Sequence, residues 1–441
     1  MEEGEVPRDM PMHYAYFTKN EECSLPDSEI ESRIPNSVRE AKTFEELYTS
    51  LANMKIELES NPTIESVDVT MDVPDVPTGD EEEVMVNFDI REKHGLSTNL
   101  LMSTSKEQND YSIGINGVVS NPTNHLDSLT TVFSYDVIHQ NHMFSAVYAH
   151  PRGFFGLPLS LAYLKTYNNY LQESGVSVYR DYVHATVSNR KGSVSARCFF
   201  GLRDLTPQGD LEEEKILHSH CSRSMLNECH PSVASGVSIA YKYNTEDDEL
   251  LPTEGSRLKS TLTWNGLVGD VHSVQFSVSG ATTLPIIPEI AEEPGLLVHL
   301  KGMAGMNCAL GKKRIRFVDR YFLNATHVHG YTRKDFGPRS KPEEGGRKEG
   351  DALGGDMCCA LSAAVSLPVV LSMDYSYGIR AKLFYEIGNV WNHASTSWRD
   401  IWNSSRSCLG AGVSLPLFGS VLMDVSYLIN QKRFAFSISV L

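Results

Sequence analysis

Residues 273–279 read Ser-Val-Gln-Phe-Ser-Val-Ser, so that Val274, Phe276 and Val278 alternate with Ser273, Gln275, Ser277 and Ser279. A period of two places successive side chains on opposite faces of a strand, here one apolar and one small and polar. Residues 433–440 (RFAFSISV) repeat the pattern, with Phe434, Phe436, Ile438 and Val440 opposing Ala435, Ser437 and Ser439. Such strands suit a membrane barrel, apolar toward lipid and polar toward a lumen. They also suit a soluble sandwich that buries the apolar face between two sheets.

Outward from these stretches, alternating segments of about 8–12 residues run from Gly95 to the C-terminus, separated by Gly, Asn, Asp and Pro clusters. A tilted strand needs about 9–11 residues to cross a membrane. Sixteen segments begin near Ser97, Asp110, Ser128, His142, Leu157, Val176, Gly192, Ala234, Ser256, Val271, Gly295, Met357, Ile379, Ser407, Ser420 and Arg433. Sixteen is large for an open sheet, and an even number closes as an antiparallel barrel without exposed edges. The expected fold is a 16-stranded antiparallel transmembrane β-barrel over residues 96–441. No membrane-spanning helix competes with it, since the best apolar stretch, 361–373, is short and contains Pro368.

Residues 1–95 read differently. A short strand is expected at Met12–Phe17 and helical composition at 26–42, interrupted by Pro35. Phe44, Leu47, Tyr48, Leu51, Met54 and Leu58 recur at helical spacing, with Thr43 and Glu46 forming a capping box. Alternating segments at 64–73 and 84–91 follow. The order strand, helix, helix, strand, strand predicts a small α+β domain over residues 11–95, after a flexible acidic start at 1–10.

Of the 441 residues, 41% are apolar and 22% charged, and the net charge is −17. Nearly all of that charge lies before Gly95, with 24 Asp/Glu against 8 Lys/Arg through Lys93. An acidic leading segment excludes the basic face that nucleic-acid binding needs, and could attract basic peptides. The first ten residues resemble neither a secretory signal nor a matrix presequence.

Catalytic signatures are absent: there is no G-x-S-x-G elbow, and residues 305–313 (GMNCALGKK) lack phosphate-loop spacing. His218, His220, Cys221, Cys229 and His230 match no standard zinc spacing and read as incidental loop residues. The chain is therefore expected not to be an enzyme and to hold no metal and no cofactor.

The informative segment is 307–356, between the eleventh and twelfth strands. It holds Asp319, Arg320, Tyr321 and Leu323, then Val328, His329, Gly330 and Tyr331, then Arg333, then Gly337, Pro338 and Arg339, and finally Leu353, Gly354, Gly355 and Asp356. Glycines allow positive φ and close backbone approach, and Tyr331 and Phe336 can anchor a loop folded into a lumen.

In order and spacing this segment resembles the lumen loop of the POTRA-plus-barrel superfamily of bacterial BamA, and within it the central barrel subunit of the mitochondrial sorting and assembly machinery. Residues 384–391 (FYEIGNVW), 410–427 and 251–262 are similar to other strands of that family, and residues 11–95 to a single POTRA domain. His329 stands where the family has arginine, a titratable group in place of a fixed planar cation. The family's acidic partner in the lumen corresponds to Glu386, which His329 or Arg333 is expected to meet.

The resemblance implies an insertase that folds barrel precursors of the porin and translocase-pore type into the mitochondrial outer membrane. The POTRA-like domain would face the intermembrane space, with metaxin-like accessory subunits, precursors and lipid as partners and no nucleic acid. It also implies a lateral gate at the last strand, with Arg433, Ala435, Phe436, Ile438 and Val440 following the polar-x-Gly-x-x-apolar-x-apolar signal and Ala435 at the glycine position. Alternatives are a passive porin-type channel, a plastid or bacterial member acting in protein translocation, and a soluble β-rich interaction protein.

Overall fold

A computed structural model describes residues 14–19, 34, 36–39, 41, 43–59, 63–72, 83–93, 95–105, 110–207, 209–212, 215–219, 221–248, 251–287, 289–290, 293–311, 314–341, 350–369, 378–392, 398–417 and 421–440. The expected acidic start at 1–10 lies outside them, as do the side chains of Ile438 and Val440.

The N-terminal region is a three-stranded sheet in which Glu83–Glu92 lies between Tyr14–Lys19, parallel to it, and Ile64–Asp72, antiparallel to it. The first strand is shifted two residues C-terminal of its expected position. Phe44–Glu59 is the long helix, and the Glu46 amide donates to the Thr43 hydroxyl at 3.3 Å, as an N-cap does. The expected helix at 26–42 is described only as Asn36–Arg39, one turn after Pro35. Leu47, Leu51, Met54 and Leu58 pack with Val67, Phe88 and Ile90 in a buried apolar core. Leu126, from the turn after Asp110–Ser120, joins the same core.

By internal contacts the chain forms two units, one of residues 1–98 with 117–131 and 147–159, the other of the remainder. The main sheet has sixteen antiparallel strands: Gly95–Ser105, Asp110–Ser120, Ser128–Asp136, His142–Phe154, Leu157–Tyr170, Val176–Ser188, Val194–Pro207, Ser232–Asn244, Gly255–Asn265, Ser273–Pro285, Leu297–Ala309, Met357–Pro368, Arg380–Trp391, Arg406–Leu417, Val421–Leu428 and Arg433–Val440. Each starts within two residues of its expected position.

Register shows why alternation governs this sheet. Ile239, Leu262, Phe276 and Met306 pair across four neighbouring strands and are 53%, 48%, 46% and 38% exposed. One residue along, Ser238, Thr263, Gln275 and Asn307 form the matching inner row. A sandwich would cover that apolar row with a second sheet. Left uncovered, it is the lipid-facing wall of a membrane β-barrel.

The first and sixteenth strands meet at Thr104↔Ile438 and Ser105↔Ser437. Two register pairs join them among the described residues, against eight between the fifteenth and sixteenth strands.

Candidate functional site: the loop after the eleventh strand

The described residues of the loop, 310–311, 314–341 and 350–356, fold against the inner face of the sheet rather than away from it. Two bridges give the loop its own frame: Tyr321↔Gly355 and Arg339↔Ala352. The Tyr321 amide donates to the Gly355 carbonyl at 2.7 Å, and the Leu353 amide to the Pro338 carbonyl at 3.0 Å. A single helical turn, Arg333–Asp335, is closed by a Thr332/Asp335 capping box.

At the base, Arg203 of the seventh strand donates to Asp319 at 2.5 Å, with the arginine side chain 2% exposed. A guanidinium taken this far from water is stable only with its carboxylate in place. Arg320 donates to Glu228 at 2.6 Å and to the Leu353 carbonyl at 3.1 Å. The Phe317 amide donates to the other oxygen of Glu228 at 2.6 Å. The segment carrying Cys221, Cys229 and His230 is thus a clamp on the loop, and no group of metal-ligating side chains is found among the described residues.

At the tip, the His329 backbone N–H and its Nδ1 lie 2.7 and 2.8 Å from the same oxygen, Oε2 of Glu386 on the thirteenth strand. An ionised carboxylate only accepts, which assigns a proton to Nδ1. The His329 ring also lies 5.0 Å from that of Phe384. Arg333 is not the partner of Glu386. Its guanidinium stacks over Tyr170, 4.7 Å from the ring centroid, and over Phe322 at 5.8 Å.

Val328 is fully buried among Leu323, Phe336, Phe384, Leu428 and Ala435. Tyr331 donates its hydroxyl to the Ser407 carbonyl at 3.1 Å, and the Gly337 amide donates to Asn389 at 2.9 Å. Gly330 has φ +80°, and a Cβ there would strike Gln431 and Leu428. Gly355 passes so close to the Trp391 backbone that a Cβ would lie 2.5 Å from its carbonyl oxygen. Gly354 lies against the Phe322 ring.

The sixteenth strand touches this loop directly. Arg433 donates to the Gly330 carbonyl, and Gln431, in the turn before the strand, donates to the His329 carbonyl at 3.4 Å. Ala435 packs in the core that holds Val328, where its methyl fills space a glycine would leave open. Phe436 is half-buried, and Ile438 and Val440 pair with Thr104 and Val421.

Arg203, Glu228, Asn307, Asn389 and Gln431 were not legible in the sequence. Each is a single polar residue on a strand or in a turn, and only the register and the folded loop give it a partner.

A model of the Omp85 superfamily domain matches residues 94–430. The chain is similar to a SAM50-like protein of Schizosaccharomyces pombe, 26% identical over 205 residues, or 45% of this chain and 40% of that protein. The chain therefore spans less than half the length of this curated relative. Among solved structures it is similar to BamA from Haemophilus ducreyi lacking POTRA domains 1–3, at 17% identity, 97% and 84% coverage and TM-score 0.73. It is also similar to CdiB from Acinetobacter baumannii, at 14% identity, 98% and 74% coverage and TM-score 0.54. At these identities the solved structures speak for the fold.

Proposed function

Because the chain belongs to the Omp85 superfamily, we propose that it inserts β-barrel precursors into the mitochondrial outer membrane by pairing their strands with the edges of its own first and sixteenth strands. The observation that carries this is the seam, joined by two register pairs among the described residues, against eight between the fifteenth and sixteenth strands. An incoming strand exposes backbone N–H and C=O groups that cost several kcal/mol each in hydrocarbon, and a short seam offers a template beside lipid. The loop would keep the sheet in shape while the seam is open, since it holds the sixteenth strand through Arg433 and Ala435 without the first.

In this reading residues 11–95 form a POTRA-like domain facing the intermembrane space, and metaxin-like subunits and precursors are the partners. The likeness to the SAM50-like protein supports the mitochondrial assignment. A passive pore would have no use for a loop clamped at base and tip.

Protein translocation through the lumen, in a plastid or bacterial setting, is the second reading. Two inner-face cavities of about 610 Å³ each, both reached by loop residues, favour it.

Disulfides separate the two. Cysteines replacing Thr104 and Ile438, in a background freed of the native cysteines, should abolish assembly of newly made porin when oxidised and restore it on reduction. Normal porin assembly by the sealed protein would exclude the gate. Cysteines at positions 329 and 386 would instead fix the loop, and a block only in that variant would favour translocation.

A further inference from the structure

Four long cations crowd one patch of the inner face. Lys242 of the eighth strand stands directly opposite Lys259 of the ninth. In the next row, Arg257 and Lys301 are separated only by Ala281. Like charges directly opposite on neighbouring strands are destabilising. The Lys242–Lys259 pairing therefore costs stability while the patch stands alone.

What lies between the cations is small. Ser279 faces Lys259, and Ala281 faces both Arg257 and Lys301. Short side chains at the centre and long ones at the rim leave the cavity of about 610 Å³ noted above. Neighbouring strands are about 4.8 Å apart, so the backbones of Arg257 and Lys301 stand about 10 Å from each other, and both side chains reach the space over Ala281.

The turn between the eighth and ninth strands carries Glu246, Asp247, Asp248 and Glu254, but acids are few in the cavity lining itself. Arg257 has Glu246 at 3.6 Å, whereas Lys242, Lys259 and Lys301 have no ion-pair partner among the described residues. Among the described residues lining the cavity the one carboxylate, Glu386, is engaged by His329. Asp424, farther along, is held by Lys382 at 2.6 Å. On the opposite face the same strands expose Leu258, Leu262 and Leu300, so the cations lie on the face turned away from lipid.

We propose that Lys242, Arg257, Lys259 and Lys301 form a binding site for a multivalent phosphate anion of the inorganic polyphosphate kind. A planar guanidinium fork and three ammonium groups around a hollow with a small-residue floor suit several phosphoryl oxygens at once. The site does not depend on the insertion reading.

The full chain, purified in detergent micelles at low salt, would be titrated with inorganic tripolyphosphate and followed by calorimetry and by heat-induced gel-mobility shift. Saturable binding is expected, weakened about tenfold or more in the Lys242→Gln/Lys259→Gln/Lys301→Gln variant. Lys191→Gln, in an exposed turn, should bind as the native chain does. Without ligand, the triple variant should melt no lower than the native chain, because repulsion has been removed. If it does not fold, Lys259→Gln alone carries the test and should still bind measurably more weakly. The site is overturned by absence of saturable binding, by unchanged binding in the lysine variants, or by an equal loss in Lys191→Gln.

Discussion

One carboxylate oxygen, Oε2 of Glu386, accepts from both the backbone and the ring of His329, at 2.7 and 2.8 Å. The loop tip is therefore held by a contact that survives a change of side chain at position 329 in part, because the amide remains.

Glu386→Ala removes the acceptor for both groups. A buried donor left unpaired costs about 1–3 kcal/mol, so the midpoint of heat-induced gel-mobility shift should fall. Glu386→Gln keeps an acceptor for the amide and should lose less. His329→Arg should keep most of the native midpoint, because the backbone amide remains and the new side chain supplies a fixed cation to Glu386. Equal losses for Ala and Gln would remove the hydrogen-bond explanation.

Gly330→Ala should destabilise more than its size suggests. Positive φ costs a non-glycine residue about 1 kcal/mol or more, and the added methyl meets Gln431 and Leu428. Adding Gln431→Ala should relieve part of the clash and leave the backbone cost. A double variant no better than Gly330→Ala in thermal midpoint would place the strain elsewhere.

The Arg203–Asp319 pair gives an asymmetric outcome. Arg203→Ala alone leaves Asp319 facing an emptied site, a loss of about 3–5 kcal/mol for buried pairs. Arg203→Met with Asp319→Leu should cost clearly less, because no charge is stranded. A double-mutant cycle in urea reads the difference, and additive losses would mean the two charges act independently.

Asp127 supplies a pH signature in the turn after the second strand. Burial raises its pKa, but the Thr123 hydroxyl at 2.9 Å and amide at 3.2 Å, with Tyr148, more than offset this and hold the carboxyl below its ordinary value. Its folded value being lowered, the contribution is present above about pH 4 and is lost as pH falls through the folded value. Thr123→Val should cost about 0.5–1.5 kcal/mol near neutrality. That difference should shrink in acid, and a constant gap from pH 7 to 3 would contradict it.

The sheet was readable because each strand carries its own evidence. Val274, Phe276 and Val278 announce a two-faced strand without help from any neighbour, and glycine and proline clusters mark the ends. The loop was readable as a unit because its glycines and aromatics are dense. Partners were not. His329 and Arg333 offer similar chemistry to an acid, and only the folded path puts Arg333 over Tyr170 and leaves Glu386 to His329. Arg203 meets Asp319 116 residues away, and no local pattern announces that distance. The two-residue shift of the first strand reflects a short segment whose pairing with Glu83–Glu92, not its own periodicity, sets its ends.

The loop's long-range contacts bear on how the chain itself matures. Ser174 reaches Ala352 across 178 residues and Arg433 reaches Gly330 across 103. Contacts of such sequence separation form late and slowly, because loop-closure entropy is spent before they return anything. Gly330 and Val328 find their full surroundings only once Arg433 and Ala435 have been synthesised and paired. The tip of the loop therefore docks fully only after the last strand of the sheet is in place.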